Sequence, residues 1–158
     1  MSFHDVLLAL HVFGAFALMG AITLSSIVIA ATWRAKRPSD VVGFAGIRRV
    51  GELLMVAGIL MTVVFGVWLA IDVDRYHVWD GWVIAAIALW AIGTETGRRS
   101  ADAYGKISAE AARLAQADDA AAAQLVAKAR GVPAFVMHLA STAAVLLILA
   151  DMIWKPGA

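Results

Sequence analysis

The chain has 158 residues and a formal net charge of +1; 62% of its residues are hydrophobic and 16% charged. Soluble domains average about 45–50% apolar and about 25% charged residues, so this composition excludes a disordered chain and argues against a soluble enzyme. The absence of cysteine excludes a disulfide scaffold, a thiolate metal site and an iron–sulfur cluster, and the near-zero charge leaves no electrostatic footprint for nucleic acid.

Four apolar stretches follow in chain order. Val6–Trp33 is the longest, with His11 as its only ionisable group. Leu53–Ile71 is shorter and carries no charge. Gly81–Thr94 is charge-free but the shortest of the four, and Glu95 ends it. Gly131–Ala150 contains one histidine, His138. A hydrocarbon core about 30 Å thick needs roughly 20 helical residues, so the first, second and fourth stretches qualify outright. The third qualifies if Trp79 and Glu95–Gly97 lie in the interfaces. Lipid leaves no partner for free backbone groups, so the stretches are predicted helices. The expected fold is an all-α membrane protein, a four-helix transmembrane bundle with spans near 6–33, 53–71, 79–97 and 131–150. The first stretch reads as a retained span, because it has no basic leader and is about twice the length of a signal-peptide core.

The connecting segments set the direction. Residues 34–52 and 95–130 together hold all but two of the basic residues, and those two are Arg75 and Lys155. Basic loops stay in the cytoplasm, which predicts both termini outside and a multi-pass protein of the bacterial plasma membrane. Asp5, Asp72, Asp74, Asp80 and Asp151 make the outer side acidic. Trp68, Trp79, Trp82 and Trp154 fall near the outer boundary and Trp33 near the inner one, as an aromatic belt does.

Between the first and second spans, and again between the third and fourth, the chain is expected to stay helical on the cytoplasmic side. Pro38-Ser39-Asp40 is a helix start with Ser39 or Asp40 as the expected N-cap. The third helix is expected to continue past Glu95, with Ile107, Ala111 and Leu114 as an apolar stripe. Asp118-Asp119 is the expected break, followed by an alanine-rich helix whose matching face is Leu125, Val126, Ala129 and Val132. The result is a cytoplasmic helical hairpin over about residues 98–130, two to three turns per arm, extending helices three and four. It serves either as a solvated spacer or as a docking surface for a partner.

Polar groups inside the spans are the functional candidates, because an ionisable side chain in lipid is expensive. His11 lies about one turn inside the outer end of the first helix, with His4, Asp72, Asp74 and His77 near the same depth. Neutral imidazole is a common metal or haem ligand; the alternative is a histidine bonded to a neighbouring helix. His138 lies near the inner face. At 1.5 Å per residue, the two histidines are separated by roughly 15–20 Å along the membrane normal, so one haem bridged by both is disfavoured. Glu52, Glu95 and His138 form an expected polar cluster near the inner face, of the kind that relays protons; the simpler reading pairs Glu52 with Arg48 or Arg49 and Glu95 with Arg98 or Arg99 at helical spacing. Gly14, Ala15, Ala17, Gly20 and Ala21 on the first helix, and Gly58 and Gly66 on the second, either let backbones approach closely or make room for a flat cofactor. No catalytic motif stands out.

Leu10-His11-Val12-Phe13-Gly14-Ala15-Phe16, Gly66-Val67-Trp68-Leu69, Gly81-Trp82-Val83 and the ending Lys155-Pro156-Gly157 resemble the bacterial integral membrane proteins of "domain of unknown function 2269". That family is similar, more distantly, to the CopD copper-resistance membrane domain and to the haem-carrying membrane protoporphyrinogen oxidase. The resemblance implies a four-helix membrane bundle with His11 as the haem or metal contact. The oxidase family also uses an intramembrane lysine, and no span here contains one.

Two functions are therefore expected. One is a redox protein holding b-type haem, with His11 and Gly14 at the ring and His138 as a second cofactor contact. The other is a non-catalytic accessory subunit or homo-oligomer without cofactor, partnered by lipid and by a membrane complex.

Overall fold

The computed structural model describes residues 2–72, 77, 79–117 and 122–155. Among them every regular element is an α-helix: α1 (Phe3–Arg34), α2 (Pro38–Gly43), α3 (Ala45–Asp72), α4 (Gly81–Ala117), α5 (Ala122–Ala129) and α6 (Val132–Trp154). The expected Asp118-Asp119 break, the outer-loop Asp74 and Arg75, and the Pro156-Gly157 ending lie outside the described residues.

Three helical segments among the described residues are long and apolar enough to cross a membrane: Phe3–Arg34, Pro38–Ile71 and Val132–Trp154. Their outward faces fit that setting. Leu53, Val56, Leu60, Val64, Val67 and Ile71 recur every three or four residues along α3, and all are exposed. Phe13 and Phe16 on α1, and Leu139, Leu146 and Leu147 on α6, are exposed as well. A soluble protein rarely leaves apolar patches of this extent in water, whereas lipid solvates them. The chain is an all-helical protein built for a membrane.

The start of α2 corrects the expected cap. Pro38 occupies the first turn, and the N-cap is Arg37 in an extended conformation. Proline's fixed φ suits the first helical position, so the helix begins there and Asp40 falls third. Its carboxylate reaches back and accepts the backbone N–H groups of Lys36 and Arg37, both at 2.9 Å. Phe44, at φ −87° and ψ 0°, separates α2 from α3.

The helices fall into two units, Met1–Ile27 with Gly46–Val78, and Val28–Ala45 with Trp79–Ala158. In the first, α1 and α3 meet backbone to backbone. A methyl group placed on Gly14 would stand 2.8 Å from the Thr62 nitrogen, and one on Gly58 2.9 Å from the Leu18 nitrogen. Gly51 faces Leu24 and Ala21 in ordinary contact. Small residues are what allow such approach between membrane helices. At one end of this unit Phe3 meets Trp68 edge to face, with ring centroids 5.5 Å apart.

In the second unit α4 and α6 run antiparallel. Gly93 faces Ala144 and Ser141, Gly97 faces Ser141, and Lys155 sits 5.6 Å from the Trp82 ring centroid. The hydroxyl of Ser141 donates to the Gly93 carbonyl at 2.9 Å. At the other end Val41, Ile107, Ala111 and Ala129 form a small core, joined by Trp33, Ala35, Tyr104 and Leu114. The expected stripe of Ile107, Ala111 and Leu114 is the face that enters it. The arms of the hairpin are unequal: α4 runs unbroken to Ala117, whereas α5 is 8 residues. No proline lies between Glu95 and Ala117, and the helix continues through Gly97 and Gly105. Val132 is 70% exposed rather than part of the apolar face, because it is the first residue of α6 and follows the turn at Gly131.

Candidate functional site

His11 is the centre of the first unit. Its Nδ1 donates to the carbonyl oxygen of Thr62 at 2.9 Å. The space for the ring is made by Gly66, where an added methyl would stand 2.8 Å from both Cε1 and Nδ1 of the imidazole. That carbonyl already lies in the helical ladder of α3, so the imidazole uses its second lone pair. With Nδ1 as the donor, the nitrogen left to accept or to ligate is Nε2. No partner for Nε2 occurs among the described residues. Metal-bound histidines characteristically donate their other N–H to a carbonyl or carboxylate in this way.

The surroundings of Gly14 differ from the cofactor expectation. The place a methyl group would take lies 2.7 Å from Thr62 Oγ1 and 2.9 Å from Met61 Cβ. The glycine is thus filled by α3 and provides backbone contact rather than ring space. Thr62 Oγ1 is buried there without a hydrogen-bond partner among the described residues. As a haem site, the donor chemistry of His11 fits, and the cradle expected at Gly14 does not. Among the described residues no three His, Asp or Glu side chains gather to hold a metal. Asp74, one of the acids expected near His11, lies outside the described residues.

Glu52 and Glu95 each make the ion pairs that helical spacing predicts. Arg48 meets Glu52 at 2.9 Å in the first unit. In the second, Glu95 accepts from Arg98 at 3.0 Å and from Arg99 at 2.7 Å, and Arg98 continues to Asp102 at 2.9 Å. These pairs are largely exposed, where each is worth about 0–1 kcal/mol. His138 is buried on α6, 8% exposed, and its own carbonyl accepts the Thr142 hydroxyl at 2.9 Å.

Two features escaped the sequence reading. Thr62 lies midway in Gly58-x3-Thr62-x3-Gly66, the small-residue spacing that brings helices together, yet the part it plays at His11 is through its backbone. Gly93-x3-Gly97 on α4 is the same signal, and it receives Ser141 and Ala144.

Fold and site together define an all-helical membrane protein with one oriented imidazole between two close-packed helices. No protein-family model, curated protein or solved structure matches the chain.

Proposed function

We propose that this is a four-span protein of the bacterial plasma membrane, with both termini outside, in which His11 would hold b-type haem through Nε2. The observation that carries the reading is the bond from His11 Nδ1 to Thr62 O, which commits one ring nitrogen and leaves Nε2 as the ligand atom. The fourth span is the apolar start of α4, and the basic segments at residues 34–52 and 95–130 support its direction. Bound there, the iron would supply one-electron chemistry. The chain's own part is to hold the imidazole turned, with Nδ1 committed to the Thr62 carbonyl.

A second reading has its own support. Met61 and Thr62 fill the space at Gly14, and Gly66 is fitted to the His11 ring. In that reading His11 is an interhelical staple in a non-catalytic accessory or oligomeric protein.

Oxidised and reduced absorption spectra of the detergent-purified protein separate the two. The haem reading predicts a Soret band that is lost in His11→Ala and kept in His4→Ala. A colourless protein from haem-replete cells, or a Soret band unchanged by His11→Ala, overturns it in favour of the staple.

A further inference from the structure

A cleft of about 640 Å³ opens where α1 ends and α5 ends, lined by Trp33, Arg34, Ala35, Lys36, Val126, Ala127 and Arg130. Three of its linings are cations and none is an acid. Arg34 has no carboxylate partner among the described residues, and Lys36 makes no ion pair, although its charge reaches the Asp40 carboxylate. Asp40, near in sequence, is engaged by the backbone N–H groups of Lys36 and Arg37. Arg130 is held in place, because its guanidinium donates to the Trp33 carbonyl at 3.0 Å. Trp33 is fixed in turn: its indole N–H donates to the Ala129 carbonyl at 2.8 Å, and its ring meets Phe135 at 4.7 Å between centroids. Trp33 is also the last residue of the first apolar run, so the cleft lies where hydrocarbon gives way to headgroups. Three cations around one cavity match a phosphate in charge, and the small apolar linings Ala35, Val126 and Ala127 match the glycerol and upper acyl chains above it.

We propose that this cleft binds the headgroup of an anionic phospholipid, with Arg34, Lys36 and Arg130 around its phosphate. Basic pockets beside cytoplasmic helix ends take acidic headgroups for this reason. The proposal rests on the reading that the basic segments face the cytoplasmic leaflet. Lipid retention is measured on the purified protein whichever leaflet it came from, so the two fail separately.

The test is native mass spectrometry of the full chain released from detergent containing equal phosphatidylglycerol and phosphatidylcholine. The expected result is one retained phosphatidylglycerol, with retention falling about tenfold or more in Arg34→Gln/Lys36→Gln. Those two side chains make no bond within the fold, so the variant keeps its structure, and circular dichroism checks that. Lys106→Gln/Arg113→Gln removes the same charge outside the cleft and is expected to retain lipid as the parent does. Equal loss in both variants, equal retention of phosphatidylcholine, or displacement of the lipid by millimolar inorganic phosphate overturns the proposal. The last outcome would identify a free-phosphate site instead.

Discussion

His11 on α1 donates its Nδ1 proton to the Thr62 carbonyl of α3 at 2.9 Å, through a gap that exists only because residue 66 is glycine. The bond joins two helices that otherwise meet through apolar and small side chains. It also decides which nitrogen of the imidazole remains available.

Gly66→Ala places a methyl group 2.8 Å from the imidazole, and the helices are already too close to absorb it. The ring must leave the carbonyl. Overpacking of this kind costs about 1–3 kcal/mol, read as earlier unfolding in a detergent–SDS titration. Gly46→Ala, at a position with nothing within 4 Å, is the control; replacing a helical glycine there is expected to be neutral or to stabilise by about 0.4–1 kcal/mol.

On the facing pair in the second unit, a methyl at Gly97 would lie 2.8 Å from Ser141 Oγ. A serine hydroxyl can rotate away, at the expense of its bond to the Gly93 carbonyl. Gly97→Ala should therefore destabilise by about 0.6 kcal/mol, a typical value for one interhelical bond in a membrane. In a Ser141→Ala background the same change should have less effect. Additive losses in the double-mutant cycle would show that the two residues act independently.

The described spans were legible because a long unbroken apolar run has one physical solution in lipid, and no packing detail is needed to see it. The ion pairs of Glu52 and Glu95 were legible for a similar reason, since three- and four-residue spacing fixes them locally. The cap of α2 was not, because Pro38 and Asp40 each signal a helix start and only the backbone decides which residue comes first. The identity of the His11 partner was hidden for a deeper reason. A backbone carbonyl 51 positions away leaves no mark on the side chain of Thr62. The basic cleft was likewise present only as a charge count, because Arg130 meets Trp33 through the fold.

The Ala129 carbonyl accepts two donors, the Trp33 indole N–H at 2.8 Å and the Tyr104 hydroxyl at 3.2 Å. It ends α5, where carbonyls lack helical partners. Trp33→Phe removes one donor and should cost about 0.5–1.5 kcal/mol, again read by SDS titration.

Tyr104 adds a pH dependence. Burial raises its pKa above the ordinary tyrosine range, partly offset by hydrogen bonding to Trp33. A raised folded pKa favours the neutral phenol, so the contribution is complete below the unfolded value near ~10 and is lost as pH climbs through the folded value. The parent should lose stability on this alkaline limb, and Tyr104→Phe should flatten it. An unchanged alkaline limb in the variant would assign the loss to other groups.

Most depends on the number of crossings, since the outer position of His11 and the cytoplasmic position of the cleft both follow from it. The direct measurement places one cysteine at Ser2 and, separately, one at Lys155 of this cysteine-free chain, and labels intact cells with a membrane-impermeant maleimide. Four crossings predict that both positions label from outside while a cysteine at the exposed Ala109 does not. Labelling at only one of the two ends would mean that α4 stays out of the bilayer, and would contradict the account.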